Sequence, residues 1–429
     1  MLRKPRMYLA DIPCHIVQRA HNRWAILCSP RVAPWLARVL VASLLAATLA
    51  CSTPQPRPSW WKGRANHANL GYAQADTPGG RRGWTAKFSG FASCAVLWAP
   101  PDHDDVNDSR IIVGTGPAVT ALVPASGQSF GVGYDLTNTM NTCAAAPPSA
   151  ARVFDPASLE NRIYISTAAA EVYSLPPTLS SPFWKRDLVL GQVGATGPTP
   201  WGDFIYVGAG RFLFALKRSD GSTAWRANLD AEVTPLFPPA VTFEVDNAVV
   251  ITALNGTVLK VDAFDGTIER WRVQIPAAIA SGFALGVDFH VYVAGFDGAL
   301  YALDRSDGHI RWRFAATGPL QAPAVRFHGP ENADRIYIAD ESTLIALGSN
   351  GSEKWRVALP ARATCAPVVT PSEVVYVGVG FGAAAQLGAV AQDGQRWSVP
   401  LPGADIRHLA VGEDGAIYAS AGNTLIKVQ

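Results

Sequence analysis

The sequence predicts an all-β protein: an eight-bladed β-propeller over residues 60–429, closed by pairing strands from its two ends. Three observations predict it. A Trp recurs at 184, 225, 271, 312, 355 and 397, at spacings of 41, 46, 41, 43 and 42 residues. A two-residue turn precedes most of these slots: Ser126-Gly127, Asp220-Gly221, Asp265-Gly266, Asp307-Gly308, Asn350-Gly351 and Asp393-Gly394. Short alternating apolar runs flank the turns, such as "VYVAGF" and "LYALDRS". Four strands repeating every 40–45 residues or so read as a propeller, because one such unit cannot bury both faces of its sheet.

Each element follows from that frame. "IIVGTG", "IYISTA", "IYVGAG", "VYVAGF", "IYIADE" and "VYVGVG" are second strands. "VTALVPA", "LFALKRS", "VLKVDAF", "LYALDRS" and "LIALGSN" are third strands. Asp-Gly and Asn-Gly supply the positive φ that tight hairpins require. The Trp closes the fourth strand and wedges between blades. Trp84 and Phe130 fill the same slot upstream. After Trp397, residues 408–428 give three strands and no closing Trp, so the strand carrying Trp84 completes the eighth blade. The interval from Phe130 to Trp184 is long, which places an irregularity in blade two.

The chain has 429 residues, 48% hydrophobic and 16% charged, ample for a large core. The first 50 residues hold seven Lys/Arg and one Asp, leaving 29 basic and 33 acidic residues in a mildly acidic body. That balance excludes an electrostatic case for nucleic-acid binding.

Residues 32–50 read as a signal peptide whose apolar stretch, "LARVLVASLLAATLA", is short for a transmembrane helix. It ends in Leu49, Ala50 and Cys51, similar to a lipoprotein signal with Cys51 as the lipidated residue, although Thr48 stands where an aliphatic residue is usual. An ordinary secretory signal is the alternative. Both readings export the body, and residues 51–59 then form a tether. Residues 4–23, "KPRMYLADIPCHIVQRAHNR", resemble the opening of REP-associated tyrosine transposases. Nothing continues into that family's metal site or catalytic Tyr, so residues 1–31 read as a fused fragment or a misassigned start.

Enzyme motifs fail on context. "GQSFG" at 127–131 lies in a hairpin, not at a strand-to-helix turn. "VGVGFGA" at 377–383 precedes no helix pattern. Asp102, Asp104, Asp105, Asn107 and Asp108 offer hard oxygens, but sister loops lack the cluster and a solvated hairpin is the simpler reading. Cys94, Cys143 and Cys365 share one register on the inner strands of blades one, two and seven. After export Cys94 and Cys143 are placed on neighbouring blades to form a disulfide, provided their Cα atoms approach within about 7 Å.

"VYVAGFDGALYALDRSDGHIRW" (291–312) is close to the PQQ-type propeller repeat. The resemblance covers about residues 60–429. The family's quinone dehydrogenases carry Ca²⁺, a catalytic Asp and, in many, adjacent cysteines. No Cys-Cys pair exists here, so neither cofactor nor metal is expected and a quinoprotein dehydrogenase is the least favoured reading. An eight-bladed lipoprotein of this size resembles BamB, a non-enzymatic scaffold in outer-membrane β-barrel assembly. "LVLGQVGATGP" (188–198) resembles that family's L-x-L-R-G loop at Leu188 and Leu190, with Gly191 replacing Arg. "DAEVTP" (230–235) resembles its D-x-D-x-T-P segment at Asp230, with Glu232 replacing Asp. The resemblance implies that these four residues contact envelope partners, and that the ring is a monomer on the periplasmic side of the outer membrane. The alternative is a propeller that binds an envelope ligand.

Overall fold

The structure is a computed structural model. It describes residues 79–429 apart from 94, 99–108, 132, 137–161, 189–194, 235–236, 243–245, 280, 287–288, 328–333, 402–404 and 413–414, together with three strands near the N-terminus. The chain divides into two compact units, Met1–Pro56 and Arg57–Gln429. In the first, Met7–Tyr8, Cys14–Arg19 and Arg23–Cys28 form an antiparallel meander. Cys51 and the apolar stretch before it lie outside the described residues, as do Cys94, Cys143 and the 102–108 cluster.

The second unit is the eight-bladed ring. Blade 5 is the plainest copy, with strands Phe283–Leu285, His290–Ala294, Ala299–Asp304 and Ile310–Ala315 in sequential antiparallel order. Blades 1, 3, 4, 6, 7 and 8 are likewise four-stranded. Blade 2 shows Ile163–Ser166, Glu171–Leu175 and Trp184–Asp187 among the described residues. Closure follows the expectation. Thr424–Val428 pairs with Arg82–Lys87, aligning Leu425 with Ala86, and Arg81 and Gln429 exchange backbone hydrogen bonds at 2.7 and 2.8 Å.

The seams between blades explain the repeat. Each docked Trp ring lies against the turn glycine of the next blade. A methyl on Gly308 would sit 2.8 Å from Trp271, on Gly221 2.6 Å from Trp184, and on Gly351 2.7 Å from Trp312. The indole N–H then donates to a carbonyl in the same turn: Trp271 to Arg305 at 2.9 Å, Trp184 to Arg218 at 3.0 Å, Trp312 to Ser349 at 2.7 Å, and Trp84 to Pro124 at 2.9 Å across the closure. Glycine is therefore required twice over at Gly308, by the indole and by a φ of +78°. Gly266 corrects the turn-chemistry argument. It lies outside the left-handed region, so only the Trp225 ring demands it. In blades 3 to 8 the third strand shifts register beside the Trp slot, a bulge that sharpens local twist.

Two seams depart from the rule. In blade 7, Gly394 closes a shorter hairpin with nothing near its would-be Cβ, and Trp355 has no acceptor for its N–H among the described residues. There Arg326 of blade 6 pairs with Glu373 of blade 7 at 2.6 Å instead. At the seam from blade 1 to blade 2, Phe130 takes the Trp slot but lies ahead of the short outer strand Tyr134–Asp135, beneath the Arg110 guanidinium at 3.7 Å.

A compensating exchange occurs in blade 4. In blades 3, 5, 6 and 7 a buried Tyr on the second strand faces Ala on the third: Tyr206 and Ala215, Tyr292 and Ala302, Tyr337 and Ala346, Tyr376 and Ala389, while blade 8 sets Tyr418 opposite Lys427. Blade 4 has Val250 opposite Lys260. The lysine stands where blades 3, 5, 6 and 7 have alanine, and valine stands where they have the ring. Its ammonium donates to the Arg305 carbonyl at 2.6 Å, as the Tyr206 hydroxyl donates to Ala263 at 2.9 Å. Lys260 is 1% exposed and also pairs with Asp246. Burial lowers its pKa despite that carboxylate.

Candidate partner-binding face

The alternating strand directions sort the loops onto two faces. Hairpins joining second and third strands, and the connections between blades, lie on one, here the hairpin face. The remaining turns lie on the other, the turn face. Leu188, Asp230 and Glu232 all fall on the hairpin face, at adjacent seams.

Leu188 occupies the fourth position after Trp184, a slot the repeat uses throughout. Its N–H donates to Ala170 at 3.0 Å, as Leu229 does to Arg211, Ile275 to Gly256, Leu359 to Ser342 and Leu401 to Ala385 at 2.8–3.0 Å. Its side chain is half-buried against the apolar cluster shared by blades 2 and 3. Leu188 therefore pins the connection, a role its place in the repeat dictates. Leu190 and Gly191 lie outside the described residues.

Asp230 stands one residue beyond the same slot and is displayed. Its φ is +61°, held by a reciprocal pair in which Asn228 Nδ2 donates to its carboxylate at 2.8 Å and its N–H donates to Asn228 Oδ1 at 2.9 Å. Arg211 donates to its carbonyl at 2.7 Å. Arg272, from blade 4, meets its carboxylate at 2.9 Å and the Asn228 carbonyl at 2.8 Å. The side chain stays 69% exposed. Glu232 is also exposed, while its carbonyl accepts from the Leu254 N–H at 2.8 Å. Two carboxylates thus project from a backbone fixed on both sides.

Two acid–tyrosine–cation clusters were not singled out from the sequence. Tyr301 donates to Asp297 at 2.7 Å, and Arg313 meets the same carboxylate at 3.0 Å. Burial would raise the Asp297 carboxyl, but bonds from Tyr301, Arg313 and the Ala299 N–H outweigh it and hold it below its ordinary value. In blade 2, Glu171 accepts from Thr167 at 3.1 Å and Tyr173 at 3.3 Å, and pairs with Lys185 at 2.7 Å. The hydrogen bond to Glu171 pushes the Lys185 ammonium upward. Tyr173 and Tyr301 occupy the same third-strand slot, each opposite a cation, and that pairing was the available signal.

The motifs set aside from the sequence are structural. Ser129 bridges Leu122, and Gly127 lies under Trp84. Gly382–Ala384 is a three-residue 3₁₀ turn, too short for a dinucleotide helix. Cys365 is buried three residues ahead of the inner strand Val368–Val369, and its sulfur accepts from the Gly378 N–H at 3.3 Å. Among the described residues no group of three or more His, Cys, Asp or Glu is placed to hold a metal.

Blade count, seam chemistry and closure define an eight-bladed propeller of PQQ-like repeats. The family model described as "Outer membrane protein assembly factor BamB" matches residues 254–426. BamB from Yersinia pestis is 27% identical over 205 residues, 44% of this chain and 49% of that protein. The serine/threonine-protein kinase AfsK of Streptomyces coelicolor is 27% identical over 352 residues, 68% of this chain and 39% of that protein. The crystal structure of BamB from Moraxella catarrhalis has a TM-score of 0.58 at 15% identity, covering 82% of this chain and 100% of that one. The quinohemoprotein alcohol dehydrogenase of Comamonas testosteroni has a TM-score of 0.65 at 12% identity, covering 89% and 82%. The chain is a PQQ-type propeller that resembles BamB. It spans from 15% to 56% of the length of the curated relatives it matches.

Proposed function

We propose that the chain is a non-catalytic scaffold of the cell envelope that binds protein partners, with a BamB-like role in outer-membrane β-barrel assembly. The observation that carries this reading is the 230–232 segment. Its carboxylates are exposed on backbone locked by Asn228, Arg211 and Arg272, so a partner meets a preorganised surface and forfeits little ordering entropy. Glu232, Asp230 and Leu190 are the contact residues, and Leu188 pins the connection that precedes Leu190. Cys51 carries the lipid that holds the monomeric ring at the periplasmic side of the outer membrane, and Cys94 with Cys143 forms the disulfide of blades 1 and 2. The family match over residues 254–426 and the full coverage of a BamB chain support this reading.

Co-purification of the full chain from solubilised envelopes tests it. Barrel-assembly proteins are expected, and the double substitution D230A/E232A should reduce their recovery at least tenfold with the ring still folded. Recovery unchanged in that variant, or a bound quinone in the purified chain, overturns the reading.

A further inference from the structure

The exposed large apolar side chains of the ring are unevenly placed. Among the described residues, Phe130, Phe183, Phe264, Ile268, Phe289 and Ile310 are exposed on the turn face, all within blades 1, 2, 4 and 5. Blade 3 fills the interval with Trp201 and Phe204, which pack on Phe264 at ring separations of 5.8 and 6.5 Å. Blades 6, 7 and 8 contribute none to this face among the described residues. The result is an arc of aromatic and branched side chains along one side of the rim.

Three of the rings cover guanidinium groups: Phe130 over Arg110 at 3.7 Å, Phe183 over Arg162 at 4.4 Å and Phe289 over Arg305 at 4.6 Å. Shielding those arginines requires only one face of each ring. It requires neither Phe264, 55% exposed, nor Ile268 and Ile310. Beside the arc, the turn tips mix signs, with Asp265 and Asp307 next to Arg270, Arg311 and His309. Apolar wedges among neutralised charges suit a headgroup layer that itself carries both signs.

The chain also enters the ring on this face. Arg81 pairs with Gln429 at the end of the closing blade, and Gly80 lies against Trp397. Residues 52–78 join this point to Cys51 in sequence, a connection compatible with either face meeting a bilayer. The arc decides between them. The geometry points to the turn face of blades 1 to 5 as a surface that rests on a zwitterionic phospholipid layer, leaving the hairpin face for proteins. The choice of a lipid layer as occupant rests on the envelope reading above.

Photo-crosslinking tests it. In the full chain, p-benzoylphenylalanine replaces Phe264 or Phe289 on the arc, and Phe296 or Phe381 on the opposite face. Each protein is bound to phosphatidylcholine vesicles, with and without 30% phosphatidylglycerol, and lipid adducts are read by mass. Positions 264 and 289 are expected to give at least fivefold more lipid adducts than 296 and 381, within twofold in the two lipid mixtures. Equal yields from both faces, protein adducts alone from the arc in envelope preparations, or adducts only with the anionic lipid overturn the proposal. A separate mass measurement of the Cys51 peptide reports acylation, so a failed anchor is distinguishable from a failed surface.

Discussion

The Val250–Lys260 exchange makes a prediction that can be worked from the structure. Lys260→Ala removes a buried ammonium from Asp246 and Arg305 and leaves a cavity. Breaking a buried pair costs about 3–5 kcal/mol, and Asp246, 29% exposed, can rehydrate, so about 3 is expected. The Arg305 carbonyl keeps the Trp271 N–H and is not orphaned. Val250→Tyr alone adds a ring beside the lysine stem in a blade packed around valine and costs about 2 kcal/mol of overpacking. Together the two changes restore the pair seen as Tyr206 and Ala215, with the new hydroxyl placed to donate to Arg305. The double variant should lie within about 1.5 kcal/mol of the parent, a coupling of about 3.5 kcal/mol against the additive sum. Urea unfolding of the four proteins, followed by Trp fluorescence, measures this. Additivity within about 0.5 kcal/mol would refute the claim that Lys260 replaces the tyrosine.

Other outcomes follow from the seams. Gly308→Ala meets both the Trp271 ring and a φ of +78°, whereas Gly394→Ala, at φ +116°, meets no neighbour. By urea unfolding the first should cost about 1–3 kcal/mol more, the overpacking part alone. Trp271→Phe loses a buried hydrogen bond and should cost about 1 kcal/mol more than Trp355→Phe, whose indole N–H has no acceptor among the described residues. Asp304, although partly buried, is held down to about 2 by bonds from Ser306 and Arg311. Its folded pKa lies below the ordinary value, so its contribution is present above about pH 4 and fades as pH falls toward 2. Acid titration of Asp304→Asn by circular dichroism should show less stability lost in that window than the parent.

The ring was legible because the Trp, the turn glycine and the alternating strands recur in every reading frame of the repeat. What was not legible depended on partners in the neighbouring blade. Gly266 looks like Gly308 in sequence, yet only one adopts a positive φ, because the turn between Asp262 and Ile268 is one residue longer than that between Asp304 and His309. The weak seam at Trp355 depends on a hairpin closed between Ala391 and Gly394, a difference of turn length that the dipeptide Asp-Gly conceals. Leu188 drew notice through a loop resemblance, although its spacing from Trp184 already marked it as a repeat position. Asp230 was visible by the same resemblance, but its fixing by Arg272, 42 residues away, was not.

Subtracting the repeat sharpens where specificity can lie. Seven of the eight connections between blades have the fourth post-Trp residue pinned by a hairpin carbonyl, and in all of these but the one after Leu188 three residues follow before the chain reaches the next inner strand. Those read Pro276-Ala277-Ala278, Thr317-Gly318-Pro319, Pro360-Ala361-Arg362 and Pro402-Gly403-Ala404 at four seams, and Ser89-Gly90-Phe91 at the closure. Small residues and proline dominate because the connection must turn inward toward the crowded inner strands. Asp230-Ala231-Glu232 departs from that pattern by placing two carboxylates in the same short turn, at a strained φ supported by three neighbouring side chains. A structural role alone would be served by proline or alanine, as at the sister seams. Strain retained where it is not needed for closure marks a site whose geometry is under a second demand. On the proposed reading that demand is recognition by a partner, which an exposed, fixed pair of carboxylates suits.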